Sequence, residues 1–177
     1  MNAPSVTTLN NLPSELDGFV NRETQLRTLH DYFFGKKKYY YICISGEAGL
    51  GKTSLALHFA HEIANSNEFD AVIWTTPKKY ELRTQKGFLN LFDPRLTNKD
   101  VSSSKIEDGT WVNSLDDLFI TILQISGHPG FQSESIEISP NINEVIAWME
   151  IRKILLIIDD VDSWDWGLIL NFVKNVP

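Results

Sequence analysis

Gly46-Glu47-Ala48-Gly49-Leu50-Gly51-Lys52-Thr53 is the stretch on which the fold turns. It satisfies the pattern G-x-x-x-x-G-K-[ST], in which glycines let successive backbone N–H groups wrap around an anion and a lysine adds a point charge. Immediately before it, Tyr39 to Ser45 is a continuous run of aromatic and β-branched residues around Cys43, the pattern of a strand covered on both faces in a parallel sheet. Immediately after it, from Thr53 to about Asn65, Leu55, Ala56, Phe59 and Ile63 recur at helical spacing. The order strand, Gly-rich turn, helix is the context that separates a phosphate cradle from an accidental Gly-rich turn.

The chemistry follows from the residue types. Backbone groups from Gly46 through Glu47, Ala48, Gly49, Leu50 and Gly51 to Lys52, Thr53 and Ser54 are the candidates for gripping a nucleotide polyphosphate. Lys52 can neutralise charge between the β- and γ-phosphates, and the Thr53 hydroxyl can ligate Mg²⁺ at the positive end of the helix. A second element lies far downstream: Ile154-Leu155-Leu156-Ile157-Ile158 is a purely aliphatic strand that delivers Asp159 and Asp160 at its C-terminal edge, where ligands bind in open α/β sheets. Asp159 is placed to hold the magnesium shell, and Asp160 to orient or deprotonate a water attacking the γ-phosphate. On their own these carboxylates, with Asp162, read equally as punctuation of a strand-to-helix turn. The upstream cradle is what favours the metal reading for Asp159 and Asp160, and it leaves Asp162 unassigned.

The rest of the chain supplies more helices and strands. Asn21 can cap a helix running to about Phe34, with Leu26, Leu29 and Phe33 on one face, and Lys36-Lys37-Lys38 then reads as a solvated helix end. Ala71 to Trp74 is a second short strand, and Pro77 to Trp111 is polar and irregular, a long loop or insertion over 77–111. Ser114 with Asp117 starts a helix to about Ser126, a further helix spans about Glu144 to Arg152, and a last one begins near Trp164. The polar opening over 1–16 reads as a flexible segment. With 177 residues, 42% of them hydrophobic, one domain is the expectation. The net charge of −7 argues against nucleic acid as a ligand, and the absence of a signal-like start or of roughly 20 consecutive apolar residues argues for a cytoplasmic protein without a membrane partner. The lone Cys43 reads as a buried, inert thiol.

Gly18-Phe19-Val20-Asn21-Arg22-Glu23, the Gly46 to Thr53 loop, Phe69-Asp70-Ala71-Val72-Ile73-Trp74 and Ile157-Ile158-Asp159-Asp160-Val161-Asp162 together resemble the NB-ARC branch of the STAND signal-transduction ATPases. The spacing of the four blocks is similar and covers nearly the whole chain. The resemblance implies a three-layer α/β P-loop fold with a mostly parallel sheet of the additional-strand class, occupying 17–177. It also implies ATP or ADP with Mg²⁺ as ligands, with Val20, Asn21 and Arg22 lining the base pocket. The family usually has glycine where this chain has Asn21, and asparagine tolerates left-handed backbone better than most residues.

The resemblance further implies a switch: a closed ADP form, exchange to ATP, homo-oligomeric assembly in the full-length protein, and slow hydrolysis. It places one more strand between the cradle strand and the acidic strand, so the expectation is a domain truncated after the acidic strand and its following helix, lacking a central member of its sheet and marginally stable alone. Three other readings stand beside the switch. A small-molecule P-loop kinase would need lid arginines, for which Arg83 and Arg95 are the candidates, and would set the cradle strand beside the acidic strand. A DNA-loading or remodelling ATPase more often has Glu as its second acidic residue, where this chain has Asp160. A fragment that binds ADP without turnover is the last.

Overall fold

The computed structural model describes residues 7–14, 19–37, 39–76, 82–84, 87–89, 110–112, 114–132, 140–163 and 166–176. Its centre is β2 (Ala71–Thr76), whose six residues are all buried. β6 (Ile154–Ile158) runs parallel to it along its whole length, from Ala71 opposite Ile154 to Thr75 opposite Ile158. The other edge of β2 is shared. β1 (Leu9–Asn10) pairs parallel with Ala71 and Val72, and β5 (Thr110–Trp111) pairs parallel with Thr75 and Thr76. Two more short strands, β3 (Leu82–Thr84) and β4 (Gly87–Leu89), form a separate antiparallel pair. The stretch 77–111, expected to be a long loop or insertion, holds this antiparallel pair and β5, and its remaining residues lie outside the described ones.

Between β1 and β5 the ladder is completed by a side chain. Asn11 accepts from the Trp74 N–H at 2.8 Å through Oδ1 and donates through Nδ2 to the Trp74 carbonyl at 2.9 Å, doing for one residue what a strand would do. Thr8 adds a hydrogen bond from its hydroxyl to the Phe69 carbonyl. The polar opening, expected to be flexible, is thus tied into the sheet at residues 8–11. Asn11→Ala leaves two backbone groups of a fully buried residue without these partners, so it is expected to lower stability by about 1–3 kcal/mol in urea denaturation. A loss under about 0.5 kcal/mol would mean that water replaces the amide.

Helices cover both faces, as the period-two alternation of the strands requires. Ala71 and Ile73 face one cluster with Leu118, Phe119, Ile122, Val145, Ile169 and Phe172. These come from α3 (Leu115–Ile125), α4 (Ile142–Ile151) and α5 (Trp166–Asn175). Val72 and Leu155 face the opposite cluster with Leu29, Leu55, Phe59 and Ile63, from α1 (Glu23–Phe34) and α2 (Lys52–Ser66). The three-layer α/β arrangement is the expected one. The Ser114 cap forms as its sequence suggests, its side chain accepting from the Asp117 N–H at 3.2 Å. No described helix is long and apolar enough to cross a membrane.

Residues 39–45 differ from expectation. They form no strand and pair with no described strand; Ile42 and Ile44 pack beneath α1 and α2, while Tyr41 and Cys43 are exposed. The run has strand propensity, but a strand exists only against a partner, and β6 pairs with β2 alone among the described strands. Cys43 is therefore not the buried thiol its neighbours suggested.

Candidate functional site

Backbone geometry explains the glycines of the loop. Gly49 and Gly51 have φ of 81° and 75°, values that cost an L-residue about 1–2 kcal/mol, and at Gly49 an added Cβ would meet nothing within 4 Å, so conformation and not space demands glycine. Gly51 is also the N-cap of α2, which starts without a side-chain cap and without an acidic residue in its first turn. The first helical bond runs from the Leu55 N–H to the Gly51 carbonyl at 2.9 Å, so the amides of Lys52, Thr53 and Ser54 have no acceptor within the helix. Uncapped amides at the positive end of a helix dipole, with no acidic residue in the helix's own first turn, make a seat that fits a polyphosphate.

The side chains converge on the same place. Lys52 folds back over the loop, its Nζ donating to the Gly46 carbonyl at 2.9 Å and the Glu47 carbonyl at 3.0 Å. Thr53 donates through Oγ1 to Asp159 at 3.0 Å from Oδ1 and 3.2 Å from Oδ2, a contact between residues 106 apart in sequence. Asp159 is held by its own N–H, which donates to the Thr75 carbonyl at 2.9 Å and so extends the β2–β6 ladder by one step. Asp160, next along, has φ of 55°, a left-handed conformation rare for a residue with a side chain and common where function holds strain. Asp162 lies beyond, exposed in the 3-10 turn Val161–Ser163.

Among the described residues no three His, Cys, Asp or Glu side chains converge as a metal cage. The donor set that does converge, one hydroxyl and one carboxylate, fits Mg²⁺, which takes few protein ligands and completes its shell with water and phosphate oxygens. Ser54 is half-buried in the first turn of α2, and Glu47, Ala48 and Leu50 are exposed on the loop.

Val20, Asn21 and Arg22 lie just before α1. Asn21 is not the helix cap, which is Arg22; it takes φ of 58°, the left-handed conformation that glycine supplies elsewhere. Phe19 stacks on His58 of α2 with ring centroids 4.2 Å apart and planes 16° apart, and this fixes the block beside the helix that carries Lys52 and Thr53. Val20 stands 67% exposed, an apolar surface available to a base. Arg22 reaches the loop itself, donating through Nη2 to the Leu50 carbonyl at 2.7 Å. Neither the Phe19–His58 stack nor this bond has a local signal, since each joins residues far apart in the chain.

The family model of the NB-ARC domain matches residues 22–175. No curated protein and no solved structure matched the chain.

Proposed function

Because this chain belongs to the NB-ARC domain family, whose members are nucleotide-binding signalling modules, we propose that it is the ATP/ADP-binding switch of a signal-transduction ATPase. The observation that carries the reading is the Thr53 hydroxyl on the Asp159 carboxylate, which sets the helix end of the loop against the acidic edge of β6. Residues 46–54 take the polyphosphate on main-chain amides, and Lys52 moves from the Gly46 and Glu47 carbonyls to the phosphate oxygens, a stronger acceptor for an ammonium. Thr53 and Asp159 hold Mg²⁺, which when bound screens the charge that builds on the transferring phosphoryl group. Asp160 orients or deprotonates the attacking water, and Val20, Asn21 and the backbone of Arg22 line the base side.

The nucleotide state governs homo-oligomerisation, with slow Mg²⁺-dependent hydrolysis, in the cytoplasm and without a membrane or nucleic-acid partner. The acidic net charge of −7 supports the last point. Among the described residues, 39–45 pair with no strand, so the side-by-side strand order that a kinase would show lends that reading no support. Binding of ADP without turnover remains the alternative, and phosphate release from ATP·Mg²⁺ by the wild type separates the two: slow release above a Lys52→Ala blank supports the ATPase, and release equal to that blank leaves binding alone.

Asp160 allows a second check. Asp160→Gly keeps the left-handed backbone accessible and removes the carboxylate, so it is expected to reduce phosphate release to background. A folded variant with wild-type turnover would count against the role given to Asp160.

A further inference from the structure

The resemblance places Arg22 beside the base, yet its guanidinium reaches the opposite end of the site. Nη2 bonds the Leu50 carbonyl at 2.7 Å, and a Cβ added at Gly51 would stand 4.0 Å from the same nitrogen. The guanidinium works from a firm base: the Arg22 carbonyl accepts the first bond of α1 from the Leu26 N–H at 3.0 Å, and Phe19 just before it is stacked on His58. The target is soft. Leu50 lies between Gly49 and Gly51, both left-handed, and glycines on both sides leave the intervening peptide planes free to rotate at little cost.

In a trans peptide the carbonyl of one residue and the N–H of the next point in opposite directions. Holding the Leu50 carbonyl toward Arg22 therefore turns the Gly51 N–H away from the guanidinium. We propose that Arg22 is a positioning residue for the phosphate loop: by fixing the Leu50–Gly51 peptide it presents the Gly51 amide to a polyphosphate, and it does so without reading the base. This rests on the nucleotide reading above and assigns Arg22 to its phosphate end.

The test splits the nucleotide into its parts. The 177-residue chain and its Arg22→Gln and Arg22→Lys variants are titrated with inorganic tripolyphosphate, adenosine and ADP, followed by backbone amide shifts. Arg22→Gln is expected to weaken tripolyphosphate and ADP by a similar factor, about tenfold, and to leave adenosine unchanged, with Arg22→Lys restoring part of the loss. Loss of adenosine with tripolyphosphate unaffected would return Arg22 to the base pocket and overturn the proposal, as would equal affinities throughout. Should Arg22→Gln not fold, the Arg22→Lys split and the wild-type Gly51 amide decide; a Gly51 amide that tripolyphosphate leaves unmoved overturns the proposal. A wild-type chain indifferent to all three ligands overturns the nucleotide reading as well, which distinguishes that failure from this one.

Discussion

Lys52→Ala is expected to weaken binding of ADP and ATP by about 100-fold. The ammonium is already stationed at the loop, 2.9 Å from the Gly46 carbonyl and 3.0 Å from that of Glu47, so little further ordering is needed when phosphate oxygens replace those acceptors. Charge-assisted hydrogen bonds of this kind are worth about 1.5–3 kcal/mol each, and 100-fold corresponds to about 2.7 kcal/mol. The variant should remain folded, because Lys52 contributes no buried contact to either core cluster. Titration with ADP, with a thermal melt alongside, separates lost affinity from lost structure. Wild-type affinity in a folded Lys52→Ala chain would remove the lysine from the phosphate site.

The second large effect concerns the frame that holds Asp159. Phe172 on α5 is 1% exposed and lies against Phe119 of α3, with ring centroids 5.2 Å apart. Both belong to the cluster that backs Ala71 and Ile73 of β2, the strand whose Thr75 carbonyl receives the Asp159 N–H. Truncating a buried phenylalanine to alanine costs about 3–5 kcal/mol, a large part of a typical total of about 5–15 kcal/mol. Phe172→Ala should therefore shift the urea midpoint far more than any loop substitution, and should weaken nucleotide binding only as far as it unfolds the chain. A loss below about 1 kcal/mol would show that α5 is not part of the cooperative core.

What could be read from the residues alone follows the range of the forces involved. The aliphatic run Ile154–Ile158 is a strand because β2 pairs with it along its length, whereas the Ser114 cap depends on neighbours a few residues away; both formed where the sequence places them. Asn21 in left-handed backbone is likewise a local matter. By contrast, Tyr39 to Ser45 has every local mark of a strand and is none, because pairing needs a partner at the right edge. Leu9–Asn10 fails in the opposite sense: two residues in a polar stretch carry no periodic signal, yet β2 has an open edge there and takes them. The loop and Asp159 were legible together as one magnesium site, but the direct Thr53–Asp159 contact across 106 residues, like that of Arg22 with Leu50 across 28, is a property of the fold.

Where a nucleotide touches the chain is the most direct test of the phosphate loop and its acidic partner. Backbone amide shifts of the 177-residue protein titrated with ADP and Mg²⁺ should saturate at one equivalent, with the largest changes at Gly49, Gly51, Lys52 and Thr53 and a further change at Asp159. Saturation with the changes elsewhere, or no change at millimolar ADP, would contradict it.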